Sequence, residues 1–161
     1  MNSIRNKKAF SMITAIVVIV LMSTVSVFVL NLSATMTRET TAQFQREQAM
    51  LYAKSYTEYA IMAVMTNDRS VAGQCLSDID GTIGDPDNGA GYKINVRIAY
   101  IGNTAEISNC AAIRQLDTTV VTPGSPLNIV VDTYVKYKEP DHPDPDNAKY
   151  ITYHKRTLQK I

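Results

Sequence analysis

The sequence predicts an α+β protein in which one long N-terminal helix packs on a small antiparallel β-sheet. All seven glycines and all six prolines of the 161 residues lie between Gly73 and Pro145, so residues 1–72 contain no strong helix breaker. No charged residue occurs between Lys8 and Arg38. Beyond residue 90, apolar and polar side chains alternate as in half-buried strands. At 45% hydrophobic residues the chain is too apolar for a disordered protein, and its length fits one domain of ordinary size.

Residues 10–32 are predicted to form a helix that crosses a membrane. The segment has 23 residues, of which 17 are apolar and none is charged. At about 1.5 Å per residue it spans the roughly 30 Å hydrocarbon core of a bilayer. Arg5, Lys7 and Lys8 precede it, and a short flank rich in Lys and Arg stays in the cytoplasm. We therefore expect a single-pass topology with the N-terminus inside and the rest of the chain outside.

A cleaved secretory signal is the alternative for this segment. The apolar region of such a signal has about 7–15 residues, and the run here is longer. Leu32-Ser33-Ala34 also places Leu where signal cleavage requires a small residue. Both observations favour a helix that is retained.

The helix is expected to continue beyond the membrane over residues 33–66. Ser33–Met65 contains no Gly or Pro and is rich in residues that favour helix. Apolar side chains recur there at spacings near three, four and seven, which places them along one side of a helix. The stripe consists of Phe44, Leu51, Tyr52, Tyr56, Tyr59, Ala60 and Ala63. We predict that the C-terminal domain packs on this stripe.

Strands are predicted within residues 67–161. Gly91–Ile101, Pro126–Lys138 and Lys149–Leu158 alternate apolar and polar residues, and Thr104–Ile107 is a further short candidate after the turn signal Gly102-Asn103. One-sided alternation favours an antiparallel sheet, because the strands of a parallel sheet read as continuous apolar runs. Such a sheet and the exposed helical half would each cover the apolar face of the other.

Cys75 and Cys110 are the only cysteines of the chain. If the domain lies in an oxidising compartment, this pair predicts one disulfide. Two separate buried thiols are the alternative. No CxxC motif or neighbouring His pattern indicates a metal site at these residues.

The junction Lys7-Lys8-Ala9-Phe10-Ser11 resembles the class III signal of type IV pilins and type II secretion pseudopilins. A short basic leader, a small residue and then Phe abut an uncharged helix that continues into an exported domain. The resemblance implies that a prepilin peptidase on the cytoplasmic side cuts between Ala9 and Phe10 and N-methylates the new terminus; the family usually has Gly where this chain has Ala9. It also implies four parts, namely a leader (1–9), a transmembrane helix half (10–32), an exposed helix half (33–66) and a periplasmic or extracellular β domain (67–161).

Thr14 departs from the pattern of this family, whose members usually carry Glu five residues into the mature chain. A carboxylate within the bilayer costs about 2.5–3.5 kcal/mol and persists only with a partner, which in the family is understood to be the N-terminal amine of a neighbouring subunit. Thr14 supplies no charge, and its hydroxyl can bond to the backbone of the preceding turn. The resemblance therefore favours a minor subunit near the filament tip. The alternative is a minor pilin under weaker constraint at this position.

Acidic runs in the C-terminal half are calcium candidates. They are Asp78–Gly81, Asp85–Gly89 and Glu139–Asn147. Some pseudopilins hold calcium in a C-terminal loop, which makes Asp141, Asp144 and Asp146 weak candidates for ligands. None of the runs reproduces the EF-hand loop with its closing bidentate Glu, and Asp, Asn, Gly and Pro also serve turn conformations. Turns are the favoured interpretation.

Neither catalysis nor nucleic-acid binding is indicated. The sequence contains no GxSxG, HExxH or phosphate-loop motif. Removal of residues 1–9 would leave 13 basic and 15 acidic residues, which is not the balance of a nucleic-acid-binding domain. The basic C-terminal residues are better explained as an edge strand whose lysines disfavour pairing with another chain than as a DNA contact. They are Lys149, Lys155, Arg156 and Lys160.

The sequence thus predicts a structural subunit, not an enzyme. We expect a minor pilin or pseudopilin in a bacterial inner membrane, with other pilin or pseudopilin subunits and a prepilin peptidase as partners. The domain after residue 66 would lie in the periplasm or on a cell-surface filament. The alternative is a signal-anchored, monomeric envelope protein whose exported α+β domain binds calcium or a partner protein.

Overall fold

A computed structural model describes residues 5–71, 75–120, 124, 127–139, 142 and 147–161, with side chains from Met12 onward. The fold is of the α+β class. Its elements in chain order are α1 (Arg5–Thr66), β1 (Asp78–Asp85), β2 (Ala90–Gly102), α2 (Thr104–Ile107), a 3₁₀ turn (Ala112–Arg114), β3 (Gln115–Asp117), β4 (Leu127–Lys138) and β5 (Tyr150–Lys160).

The chain divides into two compact units, Met1–Gln43 and Phe44–Ile161. In the first, the apolar side chains of α1 are exposed, from 72% at Met12 to 44% at Leu32. Within α1, Met12–Thr66 is long and apolar enough to cross a membrane, with a mean hydropathy of 2.8 in its most apolar window. This finding agrees with a single-pass anchor near the N-terminus.

Hydroxyl groups in the apolar part of α1 bond to the helix's own backbone. Ser23 donates to the carbonyl of Val20 at 2.8 Å, and Ser26 donates to that of Met22 at 2.8 Å. This pairing removes the cost of exposing an unbonded hydroxyl to lipid.

The second unit contains a sheet in the order β1-β2-β4-β5. All three neighbouring pairs on this path are antiparallel. The short β3 pairs with β2 beyond the end of β1 and runs parallel to β2. Alternation in β2 and β4 places every second side chain on the side of α1, where these side chains are buried.

The hydrophobic core lies between the two central strands and the last part of α1. Tyr100 and the aliphatic side chains of β2 and β4 that point toward α1 are buried there, together with Ile107 of α2. From α1 the core receives Ala49, Ala53, Ala60 and Val64. Neither layer could hide its apolar face without the other.

The predicted strands in β2, β4 and β5 are confirmed, whereas Thr104–Ile107 is helical and its prediction as a strand was wrong. Asn103 accepts a hydrogen bond from the amide of Ala105 through its side chain, and this N-cap starts the helical turn. The prediction of a loop at Asp78–Gly81 was also wrong, because these residues begin β1.

Candidate functional site

The predicted processing site lies at the start of α1. Ala9 and Phe10 are helical, but their side chains fall outside the described residues. Thr14 is an exposed residue of α1. Asp141, Asp144 and Asp146 lie outside the described residues, so calcium at these positions stays a prediction. Within the described part of the chain, no group of three or more His, Cys, Asp or Glu side chains is placed to hold a metal ion.

Cys75 and Cys110 form a disulfide, with their Cα atoms 5.0 Å apart. The bond joins the segment that follows α1 to the turn that follows α2. Asn109, next to Cys110, donates to the carbonyls of Arg69 at 3.2 Å and Ser70 at 2.9 Å. The segment that follows α1 is therefore tied to the turn after α2 by a covalent bond and by hydrogen bonds.

The side of α1 that faces the sheet consists mostly of small residues. Ala49, Ala53 and Ala60 are fully buried, which lets the helix backbone approach the strands closely. Thr57 lies on the same side, donates to the carbonyl of Ala53 at 2.6 Å and is 2.9 Å from the hydroxyl of Thr133 in β4. This buried hydroxyl pair links helix and sheet at one position.

The predicted packing stripe is only partly correct. Tyr52, Tyr56 and Ala60 contact the core, as predicted. Phe44, Leu51 and Tyr59 do not, and they are 60%, 63% and 55% exposed. The sheet selects the line of small residues because large side chains would hold the helix away from the strands. Ala63 is half-buried at the margin of the interface.

The large apolar residues of α1 instead form an exposed line that we name the outer face of α1, consisting of Phe44, Leu51 and Met62. Separations of seven and eleven residues are close to two and three helical turns, so the three residues align. Ala53 is nine residues from Phe44, about two and a half turns, which places the outer face opposite the sheet. Met62 is 59% exposed. Ser55 and Glu58 also lie on this side of the helix, so the outer face is a mixed surface on which three large apolar side chains are candidates for contact with a partner.

The solvent-facing side of the sheet carries a row of alternating charges. The strand register aligns Asp78, Arg97, Asp132 and Arg156 across β1, β2, β4 and β5. Arg97 lies 3.1 Å from Asp78 and 2.7 Å from Asp80. Arg156 donates to both carboxylate oxygens of Asp132, at 2.7 and 2.8 Å. Opposite charges on neighbouring strands stabilise their pairing.

Asp132 is the best shielded acid of this row, with a side chain that is 15% exposed. The hydrogen bond from Arg156 is the main cause that lowers the pKa of Asp132, and a contact with His154 at 2.7 Å contributes. His154 in turn stacks on Tyr134 with ring centroids 4.4 Å apart. The centre of this face is therefore a closed network of charged and aromatic groups.

Acids of the β1–β2 turn are engaged in local bonds. Asp85 accepts from the side-chain amide of Asn88 at 2.6 Å. Asp87 accepts from Lys93 at 2.7 Å and from Tyr150 at 2.5 Å, and the bond from Lys93 is the main cause that lowers the pKa of Asp87. These bonds fasten the turn to β2 and β5.

Sequence reasoning missed the Thr57–Thr133 pair and the charge row. The alternation of apolar and polar residues in β2 and β4 places Arg97 and Asp132 on the polar face and so indicated part of the charge row. Their partners could not be found without the register of the strands. Comparisons of the chain with models of protein families, with curated proteins and with solved structures find no match. Function is therefore inferred from the residues and surfaces described above.

Proposed function

We propose that this chain is a minor pilin or pseudopilin, a structural subunit of a type IV pilus or a type II secretion-like filament. The observation that carries the proposal is the uninterrupted course of α1 from Arg5 to Thr66. It takes the helix directly from the basic residues through the apolar segment to the residues that pack on the sheet. A simple membrane anchor needs only the apolar segment and gains nothing from this continuity.

Assembly would proceed by packing of helices from different subunits. The apolar residues of Met12–Leu32 are exposed in the single chain, as is the outer face of α1. In the membrane, close packing of side chains drives helices together, and in water the outer face would be hidden in the same way. The sheet would remain free to face outward.

Thr14 supports a place near the end of the filament. A subunit without the carboxylate can offer its own N-terminal amine to a neighbour but cannot neutralise the amine of another subunit. Such a subunit needs only one neighbour along the filament. The proposed location is the inner membrane of a bacterium before assembly, with the β domain in the periplasm.

N-terminal sequencing of the membrane form tests the proposal. With a prepilin peptidase co-expressed, the mature chain is expected to begin at Phe10 and to carry an N-methyl group. The matched variants are Ala9→Gly, which is expected to be cleaved, and Ala9→Glu, which is expected to stay uncut and to be lost from filaments. A mature chain that begins at Met1 or near Thr35 would overturn the proposal. If Ala9→Glu retains full function, the chain acts as an anchored monomer.

A further inference from the structure

The outermost described strands of the sheet, β1 and β5, run in opposite directions. In the order β1-β2-β4-β5, neither β1 nor β5 has a second neighbour over its length among the described strands. Three antiparallel pairings separate them, so β1 and β5 are antiparallel to each other. A second copy that is shifted sideways and rotated by the twist accumulated over four pairings, on the order of 90°, therefore brings its β1 beside β5 of the first as an antiparallel neighbour. Unpaired backbone groups at such an edge can template an added strand.

On the side of α1, the two edges would bring apolar side chains together at one end of the contact. Ile79 and Ile83 of β1 are partly buried on the side of α1. On the same side of β5, Ile151 is 46% exposed and lines a groove of about 330 Å³ with Arg46, Tyr137 and Tyr153. In the register that continues the rows of the sheet, Ile83 of the added strand lies opposite Ile151. The groove thus offers space for the inward side chains of that strand.

The charges of the two edges are opposite. β1 carries Asp78, Asp80 and Asp85 and no basic residue, whereas β5 carries Lys155, Arg156 and Lys160 and no acid. Pairing β5 with β5, or β1 with β1, would bring like charges together, which is destabilising. Pairing β5 with β1 in the register that continues the rows of the sheet places Asp78 opposite Arg156 on the solvent side, while Lys155 lies on the other side, opposite Ile79.

One acid of β1, Asp80, is exposed and can contact β5 of a neighbouring copy. Asp78 already lies between Arg97 and Arg114, both of which bond to it. Asp80 is bonded only on the side of β2, and its side chain is 60% exposed. In the same register Asp80 faces His154 of the neighbouring copy and lies diagonal to Arg156. The lysines of β5 disfavour the addition of a neutral strand at this edge. An acidic strand offsets their positive charge and can be added more readily.

We infer that a second copy of this chain adds its β1 to β5 of the first in a head-to-tail contact. Such a contact is heterologous and does not close, so it generates an open row of copies. The contact does not depend on processing at Ala9.

Cross-linking between the two edges tests this inference. The register aligns Thr82 of β1 with Thr152 of β5, and both residues are exposed. Full-length Thr82→Cys and Thr152→Cys chains with different tags are co-expressed in membranes at native level and treated with a short bismaleimide. The native disulfide leaves only the introduced thiols to react. The expected result is a product of twice the monomer mass that carries both tags, and a ladder when both substitutions are in one chain.

Leu158→Cys is the matched control. It lies on the same face of β5 as Thr152, about 20 Å farther along the strand at roughly 3.4 Å per residue. Equal cross-linking of Thr82→Cys with Leu158→Cys, products from either single variant alone, or no product at all would overturn the inference. N-terminal sequencing in the same cells separates the two proposals. Cleavage without cross-links refutes only the edge contact, and cross-links without cleavage refute only the assignment as a pilin-like subunit.

Discussion

At the scale of single residues, the hydroxyls of Thr57 and Thr133 are the polar contact between α1 and β4 inside an apolar interface. Thr57 is 1% exposed and Thr133 is 0% exposed. Because Thr57 donates to the carbonyl of Ala53, Thr133 is left to donate to Thr57. Removal of the Thr57 hydroxyl therefore leaves the Thr133 hydroxyl without its acceptor, whereas removal of the Thr133 hydroxyl leaves Thr57 bonded to Ala53.

Thr57→Val is expected to be the more costly substitution. It leaves the Thr133 hydroxyl buried without this partner, which costs about 1–3 kcal/mol of unfolding free energy. Thr133→Val leaves Thr57 bonded to Ala53 and should cost less. Since the double variant buries no unpaired hydroxyl, its loss should be smaller than the sum of the single losses. Denaturant unfolding of the four proteins measures this, and additive losses would show that the two hydroxyls do not interact.

The Asp132 carboxylate is expected to make the unfolding free energy depend on pH in the acid range. Its pKa in the folded chain lies below the unfolded value of about 3.9, chiefly because Arg156 donates to it and secondarily because of His154. The stabilisation is therefore fully present above the unfolded pKa and is lost as the pH falls through the folded pKa. Asp132→Asn should be less stable than the parent chain at pH 7, and the difference should vanish at strongly acid pH. A difference between the two chains that persists unchanged at strongly acid pH would contradict this origin of the stabilisation.

At the scale of elements, α1 has two faces that should respond differently to substitution. Leu51→Ser on the outer face should change the unfolding free energy by less than about 0.5 kcal/mol, because the side chain is exposed. Ala53→Leu on the sheet side should destabilise by about 1–3 kcal/mol, because it overpacks a fully buried position. For a filament subunit, Leu51→Ser should nevertheless reduce incorporation into sheared filaments. Normal incorporation of a combined Phe44→Ser, Leu51→Ser and Met62→Ser chain would show that the outer face is not an assembly surface.

The disulfide is expected to stabilise the second unit through the loop that it closes. Cys75 and Cys110 are 35 residues apart in sequence. On the loop-entropy model, closure of such a loop contributes about 3–4 kcal/mol. The Cys75→Ser, Cys110→Ser chain should therefore unfold at lower denaturant concentration. An unchanged midpoint would mean that core packing and the hydrogen bonds of Asn109 hold the end of α1 without the disulfide.

Helix α1 and strands β2, β4 and β5 could be predicted because each carries a long periodic pattern. β1 could not, because Asp78–Asp85 contains two glycines and three acids that are also typical of turns. Pairing with β2 along its whole length makes it a strand. Gly81 contributes to this, since a Cβ at that position would meet the Tyr56 hydroxyl at 2.6 Å. Such tertiary causes leave no local periodicity in the sequence.

The side of α1 that packs on the sheet could not be predicted for a related reason. Hydrophobicity favours the large residues Phe44, Leu51 and Tyr59, whereas the close approach of a helix to a sheet favours small ones. Ala53 and Thr57 carry a weak hydrophobic signal but fit the interface. The large residues remain available for other partners, which links the missed prediction to the proposed assembly.

At the scale of the whole molecule, the basic residues before the apolar segment are expected to set the membrane orientation of the chain. This orientation in turn decides whether the disulfide can form. Arg5, Lys7 and Lys8 are expected to stay in the cytoplasm and thereby to send Cys75 and Cys110 to the other side of the membrane. Disulfides persist in oxidising compartments such as the bacterial periplasm and are rare in the cytosol. The redox state of the cysteines therefore reports the orientation of the chain.

Reversal of the three leader charges is predicted to leave the cysteines reduced. The Arg5→Glu, Lys7→Glu, Lys8→Glu chain keeps Arg38 as the first cation after the apolar segment, so the bias toward an inside N-terminus is lost and the β domain is retained in the cytoplasm. Maleimide labelling after denaturation without reductant should then modify Cys75 and Cys110 in this variant and neither of them in the parent chain. A Lys7→Arg, Lys8→Arg chain keeps the charge and should behave as the parent. If the reversed chain forms the disulfide as fully as the parent, the leader charges do not set the topology. Reduced cysteines in the parent chain would overturn the N-terminus-inside orientation itself.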